Sequence, residues 1–187
     1  FLNSELNVRT DKYGGSLENR SRVLFDIVDG IRARCGAELN LAVRLSPERF
    51  GMKTSEIVEV FGRLVDSGKV DMIDMSLWDC FKVAGDEDCD GKVLIDIFAN
   101  LERGATKLAV AGKLYSAADC RRAVDAGADI VAIGRAAVTN HDFPRLAKDP
   151  AFAMRTLPVP RATLRAEGLS DSFIGYMGNW PGFAEAE

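Results

Sequence analysis

Leu108-Ala-Val-Ala-Gly-Lys-Leu-Tyr-Ser-Ala-Ala-Asp119 and, a short way downstream, Ile130-Val-Ala-Ile-Gly-Arg-Ala136 decide how this chain folds. Each is an apolar run that stops at a glycine, with a helical pattern following within a few residues. Such a run reads as a strand that delivers bare backbone amides to a helix N-terminus. Amides in that position, aided by the helix macrodipole, attract anions, and a glycine lets an anion come close to the backbone. Two such units in succession point to a phosphate-bearing ligand.

Working outward, the same alternation of strand and helix recurs upstream. Ser16 caps a helix that carries Leu17, Leu24, Ile27, Val28 and Ile31 on one face and ends at Cys35-Gly36. Leu39 to Leu45 reads as a buried strand, except for Arg44 near its C-terminal end. A guanidinium there is costly to bury unless something accepts its hydrogen bonds. Either a neighbouring carboxylate pairs with it or a ligand does. Thr54 or Ser55 starts the next helix, with Ile57, Val58, Phe61, Leu64 and Val65 as its buried stripe, and Met72 to Ser76 is the following strand. Lys92 to Arg103 reads as a helix, Lys107 to Ala111 as the third strand, Ala117 to Ala126 as a helix capped by Ser116, and Ile130 to Ile133 as the fourth strand. Four repeats of strand and helix predict a parallel α/β sheet. A closed (β/α)8 barrel needs eight strands and about 250 residues, and it places a phosphate site after its last two strands. The pattern therefore predicts the C-terminal half of a TIM barrel, one domain over residues 1–187 with a tail over 155–187.

Composition narrows the class. With 187 residues, 47% of them hydrophobic, the chain is long enough to bury a core, and its net charge of -4 argues against a general nucleic-acid or anionic-membrane surface. It has no run of about 18 apolar residues that would span a bilayer. It opens on Phe1 without an initiator Met or a signal peptide, so the start reads as a cut end. Cys35, Cys80, Cys89 and Cys120 form no C-x-x-C pair, and free thiols in a reducing cytoplasm are expected.

Three further features invite a functional reading. The loop from Leu77 to about Gly91 is longer than usual for such a connection. It contains Asp86-Glu-Asp-Cys-Asp-Gly91, the opening of a calcium-binding loop, but Ile97 stands where the bidentate Glu is required. A solvated acidic tip is expected there, and no metal site. His141, the only histidine, has no partner nearby in sequence and reads as an exposed loop residue. In the tail, a capped helix over Ser170 to Met177 is expected, and the cluster Tyr176, Met177, Trp180 and Phe183 is expected to pack on the body.

A longer pattern is also present. Phe1-Leu-Asn-Ser4, Arg9-Thr-Asp-Lys-Tyr-Gly-Gly-Ser-Leu-Glu-Asn-Arg-Ser-Arg22, Val43-Arg-Leu-Ser-Pro47, Gly112-Lys113 and Gly127-Ala-Asp-Ile-Val-Ala-Ile-Gly-Arg135 together resemble the C-terminal half of the old yellow enzyme family of FMN-dependent NAD(P)H oxidoreductases. The resemblance implies a TIM barrel with FMN at the C-terminal ends of its strands. It matches Arg44 to the arginine at the N1/O2 side of the flavin, where a cation stabilises negative charge on the reduced ring. It matches Gly112, Lys113, Gly134 and Arg135 to the phosphate binders, although Lys113 stands where the family usually has Gly or Asn. The paired residues that hold the substrate's activating oxygen and the proton-donating Tyr would lie upstream of this chain, and Tyr13 is a turn residue of the glycine-rich loop.

The implied activity of the whole protein is passage of hydride from NAD(P)H through flavin to a small-molecule acceptor such as an activated alkene, in the cytoplasm. The catalytic residues are not identified on this chain, which is expected to be incomplete for catalysis alone. The long loop with Trp78 and Phe81 would line the substrate mouth. Two other readings stand beside this one: a non-catalytic half-barrel and a phosphate-binding α/β module. Exposed sheet edges would drive the first into a homo-oligomer, unless a complementing N-terminal half covers them.

Overall fold

Four parallel strands form one sheet in the computed structural model, which describes residues 1–49 and 51–185. They are β1 (Ala42–Leu45), β2 (Met72–Ser76), β3 (Lys107–Ala111) and β4 (Ile130–Val131), in the spatial order β1-β2-β3-β4. The order equals the chain order, and each parallel pair is joined by a crossover connection. The last strand stops two residues earlier than its apolar run.

The register puts Arg44 opposite Asp74, Asp74 opposite Ala109, and Ala109 opposite Ile130. Because side chains alternate along a strand, this level and those of Ala42, Met72 and Lys107 share one face. Val43, Leu45, Ile73, Met75, Leu108 and Val110 share the other and are buried. Parallel sheets are ordinarily covered on both faces. Here Ala42, Arg44, Lys107 and Ile130 are exposed, as the lumen side of half a barrel would be.

Helix α1 (Leu17–Cys35) is capped by Ser16, whose Oγ accepts from the amide of Asn19 at 3.3 Å. Its Arg20 is 4% exposed and pairs with Glu56 of α2 (Thr54–Asp66) at 2.6 Å and 3.1 Å. The same guanidinium donates to the carbonyls of Gly15 and Leu2, so one buried cation ties the N-terminal loop to two helices. Helix α3 (Leu94–Ala99) is shorter than its pattern. Its first amides are taken by the preceding loop, Leu94 donating to the Lys82 carbonyl and Ile95 to that of Cys80. Helix α4 (Ala117–Asp125) opens on reciprocal caps: the Asp119 amide donates to Ser116 Oγ, and the Tyr115 amide to Asp119 Oδ2.

One clasp occurs twice at the N-terminal end of the sheet. Asp71, just before β2, accepts from the Leu41 amide at 2.7 Å and pairs with Arg32, which also donates to the Lys69 carbonyl. Asp129, just before β4, accepts from the Leu108 amide at 2.9 Å and lies 3.6 Å from Arg103, which also donates to the Gly127 carbonyl. In both, the strand-leading amide holds the carboxyl below the usual carboxylate range, with the basic partners adding to it.

The chain divides into two compact units, Phe1–Gly112 with Ala123–Val131, and Lys113–Arg122 with Ala132–Glu187. The first holds the sheet and α1 to α3. The second contains α5 (Arg135–Thr139), α6 (Phe143–Leu146), α7 (Arg161–Ala166) and α8 (Asp171–Met177). Ser170 caps α8 as expected, and α7 was not legible in the sequence. Val159, Leu164, Ile174, Met177 and Phe183 form a small core in this unit. The aromatic cluster of the tail is therefore split. Met177 and Phe183 are buried, whereas Tyr176 and Trp180 are exposed, with Tyr176 stacked on Phe173. Helical spacing explains it, since Ile174 and Met177 occupy one side of α8 and Phe173 and Tyr176 another.

Among the described residues no helix is long and apolar enough to cross a membrane. The four cysteines are free thiols.

Candidate functional site

Arg44 stands one residue from the C-terminal end of β1, on the open face. Its Nη1 lies 3.4 Å from Asp74 Oδ2, and its Nη2 donates to Ser76 Oγ at 3.0 Å. The carboxylate partner was one of the two possibilities raised by the sequence. The expected burial is corrected: the Arg44 side chain is 59% exposed. The guanidinium is held by two neighbours on β2 while remaining accessible.

Gly112 follows β3 at the same edge of the sheet, because parallel strands end together. A Cβ there would lie 2.9 Å from the Asp79 amide nitrogen and from the Trp78 carbonyl carbon. Two hydrogen bonds bring this backbone close, from the Leu77 amide to the Ala111 carbonyl at 2.8 Å and from the Cys80 amide to the Gly112 carbonyl at 3.2 Å. This glycine is thus required by the adjoining loop, whether or not an anion also approaches it.

The long loop itself is tied down. Ala84 bonds to Lys92, and Val83 and Val93 form an antiparallel bridge. Glu48, in the loop after β1, accepts from the Gly85 amide and pairs with Lys82. The Arg49 guanidinium sits 3.8 Å from the centroid of the Trp78 ring, which is 47% exposed. The acidic segment is more than a solvated tip, since Asp86 accepts from the amide of Thr54 and so caps α2 from a distance. Asp88 and Asp90 are exposed.

In the second unit, Lys113 has φ of 50°, in the left-handed region. That conformation explains a preference for Gly or Asn at this position, since both adopt it at lower cost. Gly134 precedes α5, which has no side-chain cap, and a Cβ on Gly134 would meet nothing within 4 Å. Its missing side chain leaves open space beside the start of this short helix. The Arg135 guanidinium lies 5.9 Å from the Tyr115 ring centroid.

His141 is exposed, as expected of a loop residue, but it does have a partner. Its Nδ1 lies 2.7 Å from Glu167 Oε2, which also accepts from the His141 amide at 2.8 Å. That amide is the main reason the Glu167 carboxyl lies below its ordinary range, with Arg155 contributing. Glu167 is remote in sequence, which is why the pairing escaped a local reading. Tyr13 is a turn residue with its hydroxyl on Asp26 and its ring edge-on to Phe1.

One cavity lies elsewhere. It has about 650 Å³, opens at the N-terminal ends of the strands, and is lined by Ala42, Met72, Arg103, Thr106, Lys107 and Ile130 among others. Barrels place their chemistry at the opposite end, so this hollow belongs to the uncovered face. Asp74 and Ser76 were missed in the sequence. Their spacing of two on a strand was the available signal, but the register against Arg44 was not.

The model of the NADH:flavin oxidoreductase / NADH oxidase family matches residues 1–150. A flavin oxidoreductase of Emericella nidulans, hxnT, is 29% identical over 80% of this chain and 43% of its own length. A protein of Leishmania infantum named a probable flavin mononucleotide-dependent alkene reductase is 30% identical over 76% of this chain and 38% of its own. Among solved structures, morphinone reductase in complex with tetrahydroNAD is 26% identical, with a TM-score of 0.62 over 87% of this chain and 42% of that one. The chain thus spans less than half the length of each of these proteins.

Proposed function

Because this chain belongs to the NADH:flavin oxidoreductase / NADH oxidase family, we propose that it is the FMN-binding part of an oxidoreductase that moves hydride from NADH or NADPH to an activated alkene or a similar acceptor. The observation that carries this reading is Arg44, a guanidinium kept accessible at the C-terminal end of a parallel sheet instead of being neutralised in a core. When bound, FMN supplies the hydride-accepting and hydride-donating ring.

The chain's own residues have three tasks in this reading. Arg44 places positive charge beside the pyrimidine side of the flavin, where negative charge develops on reduction. Gly112, Lys113, Gly134 and Arg135 receive the phosphate, the glycines by close approach of backbone amides and the cations by charge. The tethered loop bearing Trp78 and Phe81 borders the acceptor's entry and limits its shape. The groups that orient the acceptor and deliver a proton come from outside this chain, so the chain does not complete the reaction alone.

Titration with FMN, followed by quenching of flavin fluorescence, tests the reading. The expected result is saturable uptake that weakens tenfold or more in Arg44→Gln and in Gly134→Ala. A folded protein that takes up no FMN refutes it. The exposed lumen-side face, with Ile130 at 46%, favours one second reading: a half-barrel that pairs with another copy and has no redox role. Light scattering that finds a stable monomer removes that reading.

A further inference from the structure

We infer that Asp74 is a positioning residue that fixes the Arg44 guanidinium and, by sharing its charge, sets how strongly this site favours reduced over oxidised flavin. The inference rests on the FMN reading above and extends it to a carboxylate of β2. Asp74 lies directly across the sheet from Arg44 in the β1–β2 register, and its Oδ2 is 3.4 Å from Nη1. Ser76, two residues on and therefore on the same face, takes the other terminal nitrogen at 3.0 Å. Two groups on one strand thus hold the fork of a long side chain that solvent alone would leave mobile.

The carboxylate is used unevenly. Asp74 is 18% exposed against 59% for Arg44, and its Oδ1 is a buried atom with no hydrogen-bond partner among the described residues. A carboxylate serving only the fold would be expected to satisfy both oxygens. Here one oxygen faces the guanidinium and the other is buried without a partner, a costly arrangement. Ala109 and Ile130 at the same level, and Ala42 and Met72 at the next, supply no counter-charge. Lys107, the other cation on this face, is engaged with Asp129 at 3.1 Å. Among the described residues, the Asp74 charge is therefore set against Arg44.

The consequence follows from charge balance. Transfer of hydride from NAD(P)H to FMN moves two electrons and one proton, giving NAD(P)+ and a reduced ring with one negative charge on its N1 side. Arg44 favours that product, and the carboxylate behind it opposes it. The pair tunes the couple where a bare arginine would push it to one extreme.

The test is the midpoint potential of FMN bound to the natural full-length protein. Asp74→Asn keeps the shape and removes the charge, and it is expected to favour reduced FMN about tenfold more, a shift of about +30 mV for a two-electron couple. Asp74→Ala should shift in the same direction, so the result does not depend on how Asn is accommodated. Asp74→Glu, which keeps the charge, should stay within about threefold of wild type. Arg44→Gln should move the potential in the opposite direction. Wild-type potentials in both neutral variants, with Arg44→Gln still shifted, overturn the role of Asp74 and leave the FMN reading standing. A wild-type protein that binds no FMN removes that reading and this inference with it.

Discussion

Gly112→Ala and Gly134→Ala make a paired experiment, because the two glycines look alike in sequence and differ in their surroundings. At Gly112 a methyl group would meet three backbone atoms of Trp78, Asp79 and Cys80 at 2.9 to 3.0 Å, about half an ångström short of ordinary contact. Backbone cannot rotate out of the way as a flexible side chain can. The loop must move, which costs about 1–3 kcal/mol as overpacking. Its hydrogen bond from the Cys80 amide to the Gly112 carbonyl weakens too, for about 1 kcal/mol more. The expected loss is therefore about 3 kcal/mol, which urea denaturation followed by far-ultraviolet circular dichroism would report as a clear fall in midpoint. At Gly134 a Cβ meets nothing, so Gly134→Ala should stay within about 1 kcal/mol of wild type and show its effect in FMN uptake. A Gly112→Ala protein within about 0.5 kcal/mol of wild type would refute the reasoning, and would return that glycine to a purely ligand-facing role.

Glu56→Ala strands the buried Arg20 guanidinium and is expected to cost about 3–5 kcal/mol in the same denaturation assay. Asp86→Ala removes the acceptor at the start of α2 and should cost about 1 kcal/mol, even though the two residues are far apart in sequence. Lys113→Gly relaxes a left-handed residue and should raise stability by up to about 1 kcal/mol, read as a higher melting temperature. Acidification tests the two clasps. Asp71 and Asp129 have folded pKa values below their unfolded ones, so their contribution is full above the unfolded value and is lost as pH falls through the folded one. Stability should therefore decline on the acid side of about pH 4, and Asp129→Asn should flatten that decline; an unchanged acid limb would count against the clasp.

Much of the fold was legible because its signals are local. Apolar runs ending at glycine placed β3 and β4, and helical spacing with Ser16, Ser116 and Ser170 as caps placed three helices. The helical pattern over Lys92 to Arg103 is longer than the helix, Leu94–Ala99, since periodicity shows neither that the Lys82 and Cys80 carbonyls receive its first amides nor that the backbone leaves the helix at Asn100. In the sequence the acidic segment reads as a solvated tip, because a cap acting across many residues leaves no local trace.

For the site, residue types and their place after strands singled out Arg44, Gly112, Lys113, Gly134 and Arg135 from the chain alone, together with the family pattern. Only the tertiary structure decided what each does to its neighbours. Register across the sheet chose Asp74 and Ser76 as the partners of Arg44, loop packing made Gly112 a steric necessity, and a residue 26 positions away supplied the partner of His141. The division has one physical cause: periodicity and capping act over a turn or a strand, whereas pairing, burial and close approach depend on which distant segments the fold brings together.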